Sequence, residues 1–371
     1  MNATLPWNFP ARTLSSLRVD LLVWFDAHRR DLPWRADRDP YRIWISEVML
    51  QQTTVAAVVP YFARFLAAFP TVHALAAADE QQVLKLWEGL GYYRRARHLH
   101  AAAKQLVENH AGRLADDPAI WARLPGVGRY ILGAVLSQAF DRRLPIVEAN
   151  SLRVLARLFG FRGDPRSSAG RESLWSMAAA ILPSRRAGDF NQALMELGAL
   201  VCTPTAPACG QCPLSGRCRA ERHGLQAAIP IKKAPLAAEA VREAAIAIRQ
   251  RGKVLIGRRP PNAARWQNMW ELPHAEIARG AKANQAAANI AEKLTGLEVA
   301  IGQELGTVRH TVTRFAISMT CWEAKRVRGR LRSPFYSELR WAAVEELGEY
   351  PVSSPQRRLM SVLAARQIST K

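Results

Sequence analysis

The sequence predicts two domains of different class: an all-α domain closed by a cysteine loop, then a smaller α+β domain. Three observations carry this. Apolar residues recur at helical spacing from about Thr13 to Leu200, which keeps one face of each helix in a core. Cys202, Cys209, Cys212 and Cys218 follow in one short loop as C-x6-C-x2-C-x5-C. Beyond a polar stretch the apolar period shortens to that of strands. The expected bounds are 13–220 for the helical domain, 221–240 for a linker and 241–371 for the second domain, and 371 residues suffice for two cores.

Taken in order, helical spacing shows in Leu17, Leu21, Leu22, Trp24 and Phe25, then in Val83, Leu84, Leu86 and Trp87, and again in Leu152, Val154, Leu155 and Leu158. Prolines at 33, 40, 60, 70, 118, 125, 145 and 165 are expected to punctuate these helices. Leu124-Pro125-Gly126-Val127-Gly128-Arg129-Tyr130 leads into the apolar run 131–139 and reads as a helix-hairpin-helix. Gly126 and Gly128 let the backbone turn with its amides exposed, and those amides with the next helix N-terminus can grip a phosphate, commonly with a monovalent cation as bridge. A simple helical turn with glycine caps is the plainer alternative.

The four cysteines read as a metal cradle. Thiolates suit a tetrahedral zinc or a [4Fe-4S] cluster. The spacing favours the cluster, because zinc sites usually pair two C-x2-C knuckles and only one close pair occurs here. A disulfide framework suits small secreted chains better than one loop of a large chain. Cys321 stands apart and receives no role. The stretch 221–239 is polar, alanine-rich and carries Pro230 and Pro235, as a linker would. Residues 244–248 and 254–256 flank Gln250-Arg251-Gly252 as a β-hairpin, 281–294 reads as a helix, and 308–322 as an extended run.

Fifty-two Lys and Arg against thirty-one Asp and Glu leave a net charge of +21, which attracts a polyanion and points to nucleic acid; a basic proteome is the alternative source of that excess. No window of about 18 apolar residues is present to span a membrane, and the first twelve residues lack the order of a secretory signal. The expectation is a cytoplasmic, nucleoid-associated protein of bacterial type with no sign of an oligomer.

Leu32-Pro33-Trp34-Arg35, the segments 44–53 and 87–93, the hairpin, the segment 190–203 and the cysteine loop together resemble the endonuclease III superfamily of DNA glycosylases, and within it the MutY family of adenine glycosylases. Trp270-Glu271-Leu272-Pro273 is similar to a segment of Nudix-fold domains. The resemblance implies a [4Fe-4S] cluster on the four cysteines and a substrate of double-stranded DNA holding adenine opposite 8-oxoguanine or guanine.

Breaking an N-glycosidic bond requires an acid for the departing base and a carboxylate beside the sugar. Glu47 is the single carboxylate of Ile45-Ser46-Glu47-Val48-Met49-Leu50-Gln51-Gln52-Thr53, so burial should raise its pKa and keep a proton available. By resemblance it protonates N7 of adenine and then assists water. The second carboxylate departs from the family's Asp-Gly-Asn: Pro145-Ile146-Val147-Glu148-Ala149-Asn150 offers Glu148, which can serve an oxocarbenium-like sugar as charge or nucleophile. Glutamate is a poorer helix N-cap than aspartate, which predicts that Asn150 takes over the capping. Tyr130 stands where bifunctional relatives carry a lysine. A phenol cannot form an imine, so the expectation is a monofunctional enzyme in which Tyr130 positions the Glu148 carboxylate.

By resemblance, Gln52, Thr53, Leu90 and Tyr92 contact or wedge the lesion pair, while Leu90-Gly91-Tyr92-Tyr93 could equally be a helix C-cap whose tyrosines pack inward. Trp34 and Arg35 match the edge of the adenine pocket; Trp34 could equally be a core residue. The second domain lacks the G-x5-E-x7-R-E-x2-E-E helix of magnesium-dependent hydrolysis, since 281–294 holds only Glu292. It reads as a recognition module, in which His310 and Thr313 match the loop that touches 8-oxoguanine, with Val312 and Arg314 departing from the family pattern H-x-F-S-H. Two other function classes remain: a bifunctional glycosylase for oxidised pyrimidines, and a catalytically weakened cluster-bearing DNA-binding protein.

Overall fold

A computed structural model of the chain describes residues 9–231, 237–278 and 280–368. Part of the expected linker, including Pro235, and the first eight residues lie outside the described ones. The chain forms two compact units, Met1–Ala77 with His98–Ala234, and Ala78–Arg97 with Pro235–Lys371. Both ends of the expected linker 221–240 lie in regular structure, a helix at Arg219–Arg222 and a strand from Glu239. The exchange of 78–97 into the second unit was not expected.

Twelve helices precede the sheet among the described residues: α1 Ala11–His28, α2 Pro40–Leu50, α3 Val55–Ala68, α4 Val72–Ala77, α5 Glu80–Leu86, α6 Arg94–His110, α7 Pro118–Ala122, α8 Arg129–Phe140, α9 Ala149–Phe159, α10 Ser168–Ile181, α11 Ala187–Leu200 and α12 Arg219–Arg222. Leu17, Leu21 and Phe25 of α1 bury against Val154, Leu155 and Leu158 of α9, Leu174 and Met177 of α10, and Phe190, Leu194 and Leu197 of α11. This is the core that the helical spacing predicts. Pro40 and Pro118 occupy the first turn of α2 and α7, where a missing N–H costs nothing. Pro60 breaks the expected rule and sits inside α3, because Val58, Phe62 and Phe65 bury the face around it and tertiary packing outweighs local propensity.

The second unit holds strands β1 Glu239–Gln250, β2 Lys253–Arg258, β3 Trp270–Glu271, β4 His274–Glu276, β5 Leu297–Val312, β6 Phe315–Gly329 and β7 Glu338–Ala343, with helices α13 Ala283–Thr295 and α14 Ser354–Ile368. The main order is β3-β2-β1-β6-β5, with β4 on β1 and β7 on β2. Only the β1–β6 pairing among these is parallel. Alternation along β1 sets the two cores: Ala244, Ile246 and Ile248 face Ile290 and Ala291 of α13, while Ala245 and Ala247 face Leu359, Met360 and Leu363 of α14. The expected hairpin is present, with Gln250 opposite Lys253 and both Arg251 and Gly252 at positive φ, as a tight two-residue turn requires. The run expected at 308–322 is instead two strands joined at Thr313-Arg314, with Val312 opposite Phe315.

Polar side chains explain why 78–97 belongs to this unit. Gln81 accepts from Trp270 Nε1 at 2.9 Å, Glu80 accepts from Asn268 at 2.6 Å, and Glu88 pairs with Arg357 at 2.6 Å. No described helix is long and apolar enough to cross a membrane.

Candidate active site

Three elements of the first unit bring the predicted carboxylates together. Asp39 caps α2 by accepting from the Tyr41 amide at 2.8 Å, and the helix places Glu47 in the interior at 3% exposure. Gly128 is the N-cap of α8 and offers no side-chain hydrogen bond, leaving the first-turn amides to an outside acceptor. Gly126 turns the hairpin at φ +76, and a Cβ there would stand 2.7 Å from His98 Cβ. Gly133 of α8 lets the segment before α9 approach, since its Cβ would lie 2.6 Å from the Pro145 carbonyl. That segment ends in Glu148.

Glu47 has two donors. The Tyr130 hydroxyl donates to Oε2 in a short hydrogen bond, and Gln138 Nε2 donates to Oε1 at 2.7 Å. Burial raises the Glu47 pKa; the bonds from Tyr130 and Gln138 oppose it, the charge of Glu148 adds to it and that of Arg35 reduces it. The predicted upward shift is therefore present, and its main cause is desolvation. Burial and the neighbouring Glu47 and Glu148 push Tyr130 well above an ordinary phenol, so it stays a donor. Tyr130 serves Glu47 and not Glu148, which corrects the expected pairing.

Glu148 caps α9 itself. Its carboxylate accepts from the Asn150 amide at 2.8 Å and the Ser151 amide at 2.6 Å, while Ser151 Oγ accepts from the Glu148 amide at 2.9 Å. The reciprocal box overturns the expectation that Asn150 takes over; the longer side chain folds back far enough to reach both amides. Asn150 Oδ1 instead accepts from Arg153 at 2.9 Å. Burial raises the Glu148 pKa, opposed by those two amides and by Arg153.

Trp34 is a core residue at 4% exposure, edge-on to Phe62. Arg35 is held by Glu196 at 3.0 Å and Gln192 at 2.8 Å, and it reaches Glu47 through its charge. Burial raises Glu196, but Arg30 and Arg35 outweigh it and hold the carboxyl at about 2. Gln52 is exposed just beyond α2 at φ +58, and Thr53 is half-buried.

In the second unit, Tyr92 is 58% exposed at φ +47, as a wedge requires. Leu90 is not exposed; it packs inward at 7%, because the turn carries positive φ at Gly89, Gly91 and Tyr92 and only one side chain faces out. Thr313 is exposed at the β5–β6 turn. His310 differs from expectation: its two ring nitrogens are shielded and without a hydrogen-bond partner, and the ring lies 6.4 Å from that of Trp266.

Cys202, Cys209, Cys212 and Cys218 line one cavity of about 30 Å³ with Arg157, Ser215 and Gln226. All four are free thiols, which removes the disulfide alternative. Arg157 donates to Cys202 Sγ at 3.3 Å and Gln226 to Cys209 Sγ at 3.8 Å. Burial pushes Cys212 up to about 11 and Cys218 upward. Among the described residues no group of three or more His, Cys, Asp or Glu is placed to hold a metal ion. The donor chemistry fits an iron–sulfur cluster: four soft sulfurs around one cavity, with N–H groups aimed at two of them.

The sequence reading missed Gln138 and Glu196. Gln138 was legible as the lone amide side chain in the apolar run 131–139; Glu196 gave no comparable signal.

Residues 45–179 match the HhH-GPD superfamily of base excision DNA repair proteins, and residues 244–362 match the NUDIX domain. The chain therefore carries an HhH-GPD base excision DNA repair domain joined to a NUDIX domain. Curated adenine DNA glycosylases are among the proteins it resembles. The protein of Rattus norvegicus is 45% identical over 220 residues, 56% of this chain and 42% of the relative. That of Buchnera aphidicola subsp. Schizaphis graminum (strain Sg) is 38% identical over 214 residues, 57% of this chain and 62% of the relative. The chain spans about half the length of these curated relatives. Among solved structures, a thermostable thymine-DNA glycosylase is similar at a TM-score of 0.53 and 29% identity, covering 57% of this chain and 98% of that one. A non-covalent endonuclease III–DNA complex gives 0.50 at 22% identity, over 59% and 100%, a likeness of fold.

Proposed function

We propose that this protein is a monofunctional adenine DNA glycosylase of base excision repair, acting on adenine opposite 8-oxoguanine or guanine in duplex DNA. The observation that carries the reading is Glu47: a buried carboxyl with its pKa raised by burial, near a second carboxylate and bonded to Tyr130 in the first turn of the helix that follows the glycine hairpin. Protonating the flipped base at N7 removes the negative charge that bond breaking would leave on it. Glu148 stabilises the positive charge developing on the sugar. Glu47, now ionised, takes a proton from the attacking water. Tyr130 supplies no amine, so the sugar is left as an intact abasic site.

Several supports belong to the same reading. The net charge of +21 draws duplex DNA, and the uncapped start of α8 receives a phosphate with a monovalent cation beside it. Cys202, Cys209, Cys212 and Cys218 would hold a [4Fe-4S] cluster, which would stiffen their loop. Exposed Tyr92 fills the space of the displaced base, and Thr313 reads the opposing lesion. The site of action is the nucleoid in a reducing cytoplasm.

The test is a duplex with 8-oxoguanine opposite adenine. Free adenine with strand cleavage only after alkali supports the reading. Cleavage without alkali supports a bifunctional enzyme, release of thymine from a thymine·guanine duplex in preference to adenine supports the specificity in the name of the similar solved structure, and no release supports a DNA-binding role.

A further inference from the structure

Gln138 is a buried polar side chain in an apolar helix, with neighbours Ala134 and Val135 fully buried. An amide in that setting is costly unless it is paired, and the bond that pairs it goes to the proposed catalytic acid. We propose that Gln138 is a positioning residue that lets Glu47 pass between its protonated and ionised forms within one turnover. The inference rests on the glycosylase reading above and adds a residue to its site.

When Glu47 gives its proton to the base it becomes an anion in a water-poor site, and the anion needs donors on both oxygens. The Tyr130 hydroxyl serves Oε2 and the Gln138 amide serves Oε1. When Glu47 holds its proton it needs an acceptor, and a primary amide turned about its last bond presents its carbonyl instead. Lysine or arginine at position 138 would hold Glu47 ionised and deprive the base of its acid. A hydrocarbon would leave the anion short of a donor. Only a neutral group that both donates and accepts serves the two states. The charged or titratable groups facing Glu47 are Tyr130 from α8, Glu148 from the start of α9 and Arg35 from the turn before α2. None of these offers a second neutral donor to Oε1.

Gln138→Leu removes donor and acceptor at similar volume. Single-turnover adenine release is measured across pH on the 8-oxoguanine·adenine duplex for wild type, Gln138→Leu and Gln138→Met, with duplex binding as the check of folding. Losing a hydrogen bond to a charged group predicts a fall of at least about tenfold in the limiting rate and an alkaline limb moved upward by about one pH unit, with binding unchanged. A role in packing alone would leave the limb where it is. Wild-type release with both variants within threefold of it and the limb unmoved overturns the inference while the glycosylase reading stands. If Gln138→Leu loses duplex binding, Gln138→Met decides by the same criteria. Wild type that releases no adenine overturns both readings together.

Discussion

Glu47 carries its charge where water is largely excluded, and this sets a pH dependence of stability. Its folded pKa is raised above the ordinary value of 4.5, so between those two values the folded state binds more protons than the unfolded one. The stability it contributes is full below 4.5 and is lost as pH rises through the raised value. Glu47→Gln should therefore raise the Tm at pH 8, with the gain shrinking toward pH 4; a Tm equal to or below wild type at pH 8 would count against burial as the dominant cause. Glu148 has a different dependence on its neighbours, because it caps α9. Glu148→Ala should cost about 1–2 kcal/mol of stability through loss of the cap and at least about a hundredfold in release. Glu148→Asp keeps a capping carboxylate and should retain release within about tenfold of wild type; a larger loss would show that the segment from Pro145 is set for the longer side chain. At this scale Glu47 was legible as a lone carboxylate in an apolar helix. The Tyr130–Glu47 bond was not, since it joins residues 83 positions apart and spacing along the chain says nothing about which of two nearby carboxylates a phenol meets.

Among the elements, the hairpin and the cysteine loop were legible because their chemistry is local. Gly126 must turn at positive φ with no room for a Cβ, so Gly126→Ala should strain the turn by about 1 kcal/mol or more and weaken duplex binding, as titration at fixed salt would show. Unchanged binding would place the phosphate grip elsewhere. Cys212→Ser should lower the iron bound per chain and the thermal stability together; full iron content in that variant would remove Cys212 from the ligand set. The assignment of 78–97 to the second unit was not legible. Periodicity identified Val83, Leu84 and Trp87 as a buried stripe, but the polar residues Glu80, Gln81 and Glu88 that tie the segment to Asn268, Trp270 and Arg357 carry no mark of their partners. The burial of Leu90 and the shielded ring of His310 were not legible for a related reason, since resemblance transfers a position and the local turn and packing decide which way the side chain points.

For the molecule as a whole, charge and chemistry make separate contributions. A net charge of +21 predicts duplex binding that weakens at least about a hundredfold between 50 and 200 mM salt; a shallow dependence would mean that few phosphates are contacted. Base release at saturating duplex should change far less, because the site around Glu47 is buried. In the proposed reaction the buried acid Glu47 drives base release and the strand is left whole. Single-turnover release from the 8-oxoguanine·adenine duplex, comparing wild type with Glu47→Gln, tests it most directly. Wild type should release adenine with strand cleavage only after alkali, and the variant should bind the duplex as tightly yet release none. Cleavage without alkali, or release by the variant within about tenfold of wild type, would contradict it.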